Sequence, residues 1–176
     1  MREKNLPIDE LDKYKNDIEF LATTEENFEY NNKGEAHAAV VLSTMLNHTK
    51  ENFLMFSGEL DKAVANQEIF IFALKNYLEE NKPFKLLLEE MPKKPSKALD
   101  LVKKYAKSKS NVEYKIITKT SKELLKDIFD GDMIHFSIAD GKSYRLETDR
   151  KMYKAVCNFN DANIGVPLQE LFNDIY

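Results

Sequence analysis

Near the end of the chain three extended patterns follow one another with no helical pattern between them. They are MIHFSIAD at 133–140, KSYRLET at 142–148 and YKAVCNFN at 153–160. Asp140-Gly141 separates the first two and is a dipeptide suited to a tight hairpin. Upstream the chain alternates between two periods. Helical stripes run through Ala38, Val41, Leu42, Met45 and Leu46, through Ile69, Phe70, Ala73, Leu74, Tyr77 and Leu78 in 61–80, and through Ala98, Leu99, Val102, Tyr105 and Ala106 after Pro95-Ser96. Between and after them stand NFLMFSG, FKLLLEE and VEYKIIT, apolar runs short enough to be buried strands. Thr120 with Glu123 reads as a capping box before a short helix carrying Leu124, Leu125, Ile128 and Phe129. A last helix has Leu168, Leu171, Phe172 and Ile175 on its apolar face. The order α-β-α-β-α-β-α-β-β-β-α predicts an α/β domain: a mixed, mainly parallel sheet with helices on both faces, closing antiparallel strands and a C-terminal helix.

The first 31 residues differ in character. Residues 1–30 hold nine acids against four bases, and one loose apolar stripe (Leu11, Ile18, Leu21) marks a helix near 9–21. TTEENFEYNNKGE then breaks the periodicity. This divides the chain into an acidic N-terminal appendage, 1–31, and an α/β domain, 32–176. The net charge is −4, yet residues 92–126 carry eleven lysines against three acids. Lysines solvating helix and strand faces account for most such segments, and the alternative is a nucleic-acid surface that includes Lys93, Lys94, Lys103 and Lys104. No run of about 18 apolar residues is present to span a membrane. MREKNLPIDELDKYK has no apolar stretch behind its charges, and the single Cys157 calls for no oxidising compartment. A cytoplasmic protein is expected. No Gly-rich phosphate loop occurs, His37 and His48 lack a carboxylate constellation, and neither a cofactor nor a metal is expected.

The stretch MIHFSIADGKSYRLET, with its apolar strand, Asp-Gly and second strand, resembles half of the phospholipase D superfamily fold. That family's signature is His-x-Lys-x4-Asp, followed by Gly-Ser and Asn. The resemblance spans roughly 35–176 when Asp140 takes the aspartate position. In that frame Met133 occupies the nucleophilic histidine position and His135 the lysine position. Glu147 and Thr148 stand for Gly-Ser, and Arg150 for the asparagine. The family's chemistry needs an imidazole to attack phosphorus, with cationic and polar groups stabilising the charge that builds on the oxygens. A thioether cannot make that attack. The resemblance therefore implies a phospholipase D-like pseudoenzyme whose vestigial site is Met133, His135, Asp140, Glu147 and Thr148. It would act as a binding or regulatory module for a protein partner or a second copy of itself, as non-catalytic relatives do in bacterial defence and mobile-element systems. Two alternatives stand beside it. A shift of one pleat would put His135 at the nucleophile position, with Lys142 or Arg145 as the cation, in a homodimeric phosphodiesterase or nuclease. The other is a nucleic-acid-binding accessory protein using the 92–126 lysines.

Several residues carry structural readings of their own. Arg145 and Glu147 share one strand face and are expected to pair across to Asp140 or Lys142 in a network replacing the phosphate site. The ligand-binding surface then comprises His135, Asp140, Lys142 and Arg145 beside the lysines named above. Met133 and His135 are expected on the same face, because side chains alternate. Glu89-Glu90, after a strand's C-terminal end, reads as a charged loop edge, and Cys157 as a buried small hydrophobe.

Overall fold

The computed structural model describes residues 8–176, so the first seven residues of the acidic appendage lie outside the described part. Helix α1 (Ile8–Thr24) leads to a three-residue strand β1 (Tyr30–Asn32) and helix α2 (Gly34–His48). Then come β2 (Phe53–Ser57), α3 (Lys62–Ala65), α4 (Glu68–Glu79), β3 (Phe84–Leu88), α5 (Lys97–Ala106), β4 (Val112–Ile116) and α6 (Lys119–Ile128). The closing elements are β5 (Phe136–Ala139), β6 (Ser143–Asp149), β7 (Lys154–Asn158) and α7 (Ala162–Ile175). One mixed sheet runs β1-β7-β6-β5-β2-β3-β4.

Period-2 alternation sends successive side chains of this sheet into two cores. Phe53, Met55, Phe84, Leu86, Leu88, Ala155 and Cys157 pack under α1, α2, α4 and α5. Leu54, Phe56, Leu87, Phe136, Ile138 and Tyr144 pack under α6 and α7 against Leu125, Leu168 and Phe172. Helix α2 is buried continuously from Ala38 to Leu46 because it lies against the sheet with α1 and α4 alongside. A helix apolar all round is stable only in such a place. No helix among the described residues is long and apolar enough to cross a membrane.

The structure differs from the sequence expectations at five points. The sheet is mixed, but only β2–β3 and β3–β4 pair in parallel; the other four pairings are antiparallel, so it is not mainly parallel. One of the four is β1 on β7, a strand that YNN does not announce. The boundary at 31/32 falls inside β1, and Ile18 and Ala22 of α1 are part of the larger core. The single helix expected over 61–80 is two, α3 and α4, separated at Asn66-Gln67; the Asn66 carboxamide oxygen accepts from Lys97 N at the start of α5 (2.8 Å). Helix α6 is capped by Thr118, whose hydroxyl accepts from Ser121 N (3.1 Å), and not by Thr120.

The Asp140-Gly141 hairpin forms as expected. Both residues have positive φ (55° and 64°), and Lys142 N donates to Ala139 O across the turn (3.1 Å). Glycine takes that conformation freely, and aspartate tolerates it better than most residues.

Candidate functional site

A cleft of about 300 Å³ opens at the C-terminal ends of β2 and β3. Ligands of open α/β sheets bind at that end of the strands. Ser57 and Gly58 follow β2, Glu89 follows β3, His135 enters β5, and Arg145 and Glu147 stand on β6. Met55, Leu42 and Phe136 supply apolar wall.

His135 is the centre of the cleft's chemistry. It lies just before β5, where its carbonyl still accepts from Glu147 N (2.9 Å). Its Nε2 is 2.7 Å from Glu89 Oε1 and its Nδ1 is 3.0 Å from Glu147 Oε2. Gly58 makes room for this arrangement, since a Cβ there would stand 3.1 Å from both His135 Cε1 and Arg150 Nη2. Carboxylates accept and do not donate, so both contacts are hydrogen bonds only when both ring nitrogens carry protons. Burial by itself pulls the imidazole pKa down, but the bonds to Glu147 and Glu89 outweigh it and raise the pKa above the ordinary 6.5. Reciprocally, the bond to His135 holds the Glu89 carboxyl below its usual range against the opposing effect of burial, helped by Arg150.

Arg145 completes the floor. Its side chain is 7% exposed and its Nη2 is 3.5 Å from Glu147 Oε1. Nε donates to Asn32 Oδ1 (3.0 Å) and Nη2 to Tyr153 O (3.2 Å), while Asn32 Nδ2 donates to the same carbonyl (2.6 Å). Strand β1 therefore delivers a fully buried Asn32 to the guanidinium. Arg150, half exposed, pairs with Glu89 Oε1 at 3.1 Å. With the imidazole protonated, three cations (His135, Arg145, Arg150) meet two carboxylates (Glu89, Glu147).

The other expected site residues are distributed differently. Asp140 is at the far end of β5, five residues or roughly 16 Å of extended chain from His135. Its carboxylate accepts from the backbone N–H groups of Lys50 and Glu51 (2.8 Å each) and Asn52 (3.0 Å), pinning the hairpin to the α2–β2 loop. Lys142 lies at the same end and pairs with Glu25 at 3.1 Å. Neither meets Arg145 or Glu147, which pair with each other, Glu147 also holding His135. Met133 precedes β5 and packs against the α6–α7 core, so it does not share His135's face. Thr148 is exposed at the β6–β7 irregularity.

Lys93 and Lys94 line a neighbouring open groove with Glu59, Asp61 and Glu90. Lys103 and Lys104 ride on α5. The lysine-rich segment forms no single face. Helix α5 covers one side of the sheet and α6 the other, and they flank β4, the edge strand. Cys157 is buried as expected, and burial pushes its thiol up to about 12.

Glu89, read from sequence only as a charged loop edge, and Asn32 are the site residues that sequence reasoning did not place in the site, and Arg150 stood there only at the family's asparagine position. Position after a strand's C-terminal end was the available signal for Glu89. Asn32 gave none.

No protein-family model matches the chain, and no curated protein matches it in sequence. Solved structures do. Nuc from Salmonella typhimurium, a phospholipase D family member, superposes with a TM-score of 0.56 over 84% of this chain and 94% of its own at 13% identity. NucT from Helicobacter pylori gives 0.56 over 85% and 96% at 10% identity. TrmBL2, an archaeal chromatin protein whose structure shows a mode of DNA binding, gives 0.53 at 17% identity; the match covers 94% of this chain and 61% of TrmBL2. The fold of this chain is thus phospholipase D-like.

Proposed function

We propose that this phospholipase D-like domain is a non-catalytic binding or regulatory module of the cytoplasm, whose working surface is the cleft around His135 and whose partner is a protein or a second copy of the chain. One observation supports this above the others: His135 has a carboxylate on each ring nitrogen, at 2.7 and 3.0 Å. An imidazole held that way has no lone pair to offer phosphorus, and releasing one requires breaking a buried ion pair. The position one pleat earlier is a thioether packed against the hydrophobic core under α6 and α7.

A second reading, DNA binding along the β4 edge, draws on TrmBL2 and on the lysines of α5 and α6. The same assay addresses both. Purified protein is incubated with bis(p-nitrophenyl) phosphate and with plasmid DNA, alongside His135→Ala. The expected result is no turnover above the buffer rate in either protein. Turnover that His135→Ala abolishes would refute the non-catalytic reading. DNA retention that falls steeply with added salt would favour the second reading.

A further inference from the structure

We infer that the His135 cleft takes an organic cation, an alkylammonium or guanidinium group on an aliphatic stem, and not the anion that the family frame implies. The inference rests on the cleft being a binding site and names what it binds. Five carboxylates line it (Glu59, Asp61, Glu89, Glu90, Glu147) against three cations, His135, Arg145 and Arg150. All three cations pair with Glu89 and Glu147, and Glu59, Asp61 and Glu90 outweigh the one positive charge those pairs leave. That leaves an acid excess of two even with the imidazole charged. The Asp61 carboxylate is occupied in capping α3 through Ala63 N (2.7 Å). The side chains of Glu59 and Glu90 are exposed at the mouth and have no ion pair or hydrogen bond among the described residues.

An acid rim alone would be an ordinary solvated surface. A second, independent feature lies beneath it. Ser137 is 4% exposed, lines the cleft, and its hydroxyl has no hydrogen-bond partner among the described residues. It sits directly opposite Arg145 in the β5–β6 register, on the face that looks into the cleft. Its oxygen is not one of the sealed, unpartnered polar atoms of the interior; it opens on the cleft, where it can accept from a ligand's N–H. Leu42, Met55 and Val64 supply wall for methylene groups. The volume, about 300 Å³, is at the small end of ligand pockets and suits a single extended amine or one long basic side chain. Lys93 and Lys94 lie in the next groove, with Glu59 and Glu90 forming the shared wall, so the rim separates them from the cleft.

The same chemistry is offered by a free polyamine and by an arginine or lysine side chain of a partner protein. Isothermal titration of the full chain with spermidine, agmatine and a capped peptide bearing one arginine separates these sources, with dimethyl phosphate as the anionic counter-probe. The expected result is binding of at least one cation and none of dimethyl phosphate. The double variant Glu59→Gln/Glu90→Gln, altered only at exposed positions, should weaken the cation by about fivefold to tenfold. Free amines binding at least as tightly as the peptide would support a small-molecule ligand, and the reverse order a basic side chain of a partner. Absence of cation binding, preference for dimethyl phosphate, or affinity indifferent to the double variant would overturn the inference. Phosphodiester turnover is read in a separate assay, so failure here leaves the non-catalytic reading to be judged on its own result.

Discussion

Arg145→Met is expected to cost the fold about 3–5 kcal/mol, the usual consequence of deleting one partner of a buried ion pair. For a chain of this size that lowers the melting midpoint by roughly 10–15 °C. The cost comes from what is stranded. Glu147 loses its guanidinium and faces His135 alone, the Asn32 carboxamide oxygen loses its Nε–H donor, and the Tyr153 carbonyl keeps only Asn32. Methionine replaces much of the lost volume, so little of the effect is a cavity. The damage should extend to β1, because Asn32 is that strand's buried side-chain link to the site. Thermal and urea unfolding followed by circular dichroism measures it. A loss below about 1 kcal/mol would place the network in the class of weak, solvated ion pairs.

Gly165→Ala should be destabilising by about 2–3 kcal/mol although alanine is the better helix former by up to about 1 kcal/mol. Gly165 is the fourth residue of α7, where the helix crosses the β5–β6 hairpin. A Cβ there would lie 2.7 Å from the Gly141 carbonyl carbon and 2.8 Å from Lys142 Cα, and closer still to Gly141 O. These are backbone atoms in a turn already fixed by Asp140's three hydrogen bonds, so they cannot give way as a side chain would. Asp161 N also donates to Lys142 O (2.8 Å), locking the helix start to the same turn. The helix must lift, and with it Leu168 and Phe172 from the smaller core. Unfolding of the variant measures the sign: stabilisation would mean that α7 has slack over the hairpin.

Much of the fold is legible in the sequence because its elements follow local rules. Ile69 through Leu78 declare a helix by spacing, Asp140-Gly141 declares a hairpin, and the three extended runs after it declare a meander. Strand β1 escapes because its inward residues are a tyrosine and an asparagine, and Asn32 is buried for a polar reason, the distant Arg145. The site is less legible. Glu89 meets His135 across 46 residues of sequence, a proximity created by β2 lying between β3 and β5 in the sheet. The motif itself misleads over its length: a strand that carries His135 at one end must carry Asp140 at the other. A spacing that looks like one site in sequence therefore serves a cleft and a loop anchor at opposite ends of one strand.

The most direct measurement is the protonation of one ring. Nitrogen-15 NMR of the histidine side chains, with His135→Gln to assign the signal, reports on Nδ1 and Nε2 separately. At pH 6.5, where an ordinary histidine is half-titrated, His135 should be predominantly doubly protonated and should release its proton only at higher pH. A bare ring nitrogen at that pH would mean that the carboxylate clamp does not hold the imidazole, and that His135 is free to act as a nucleophile.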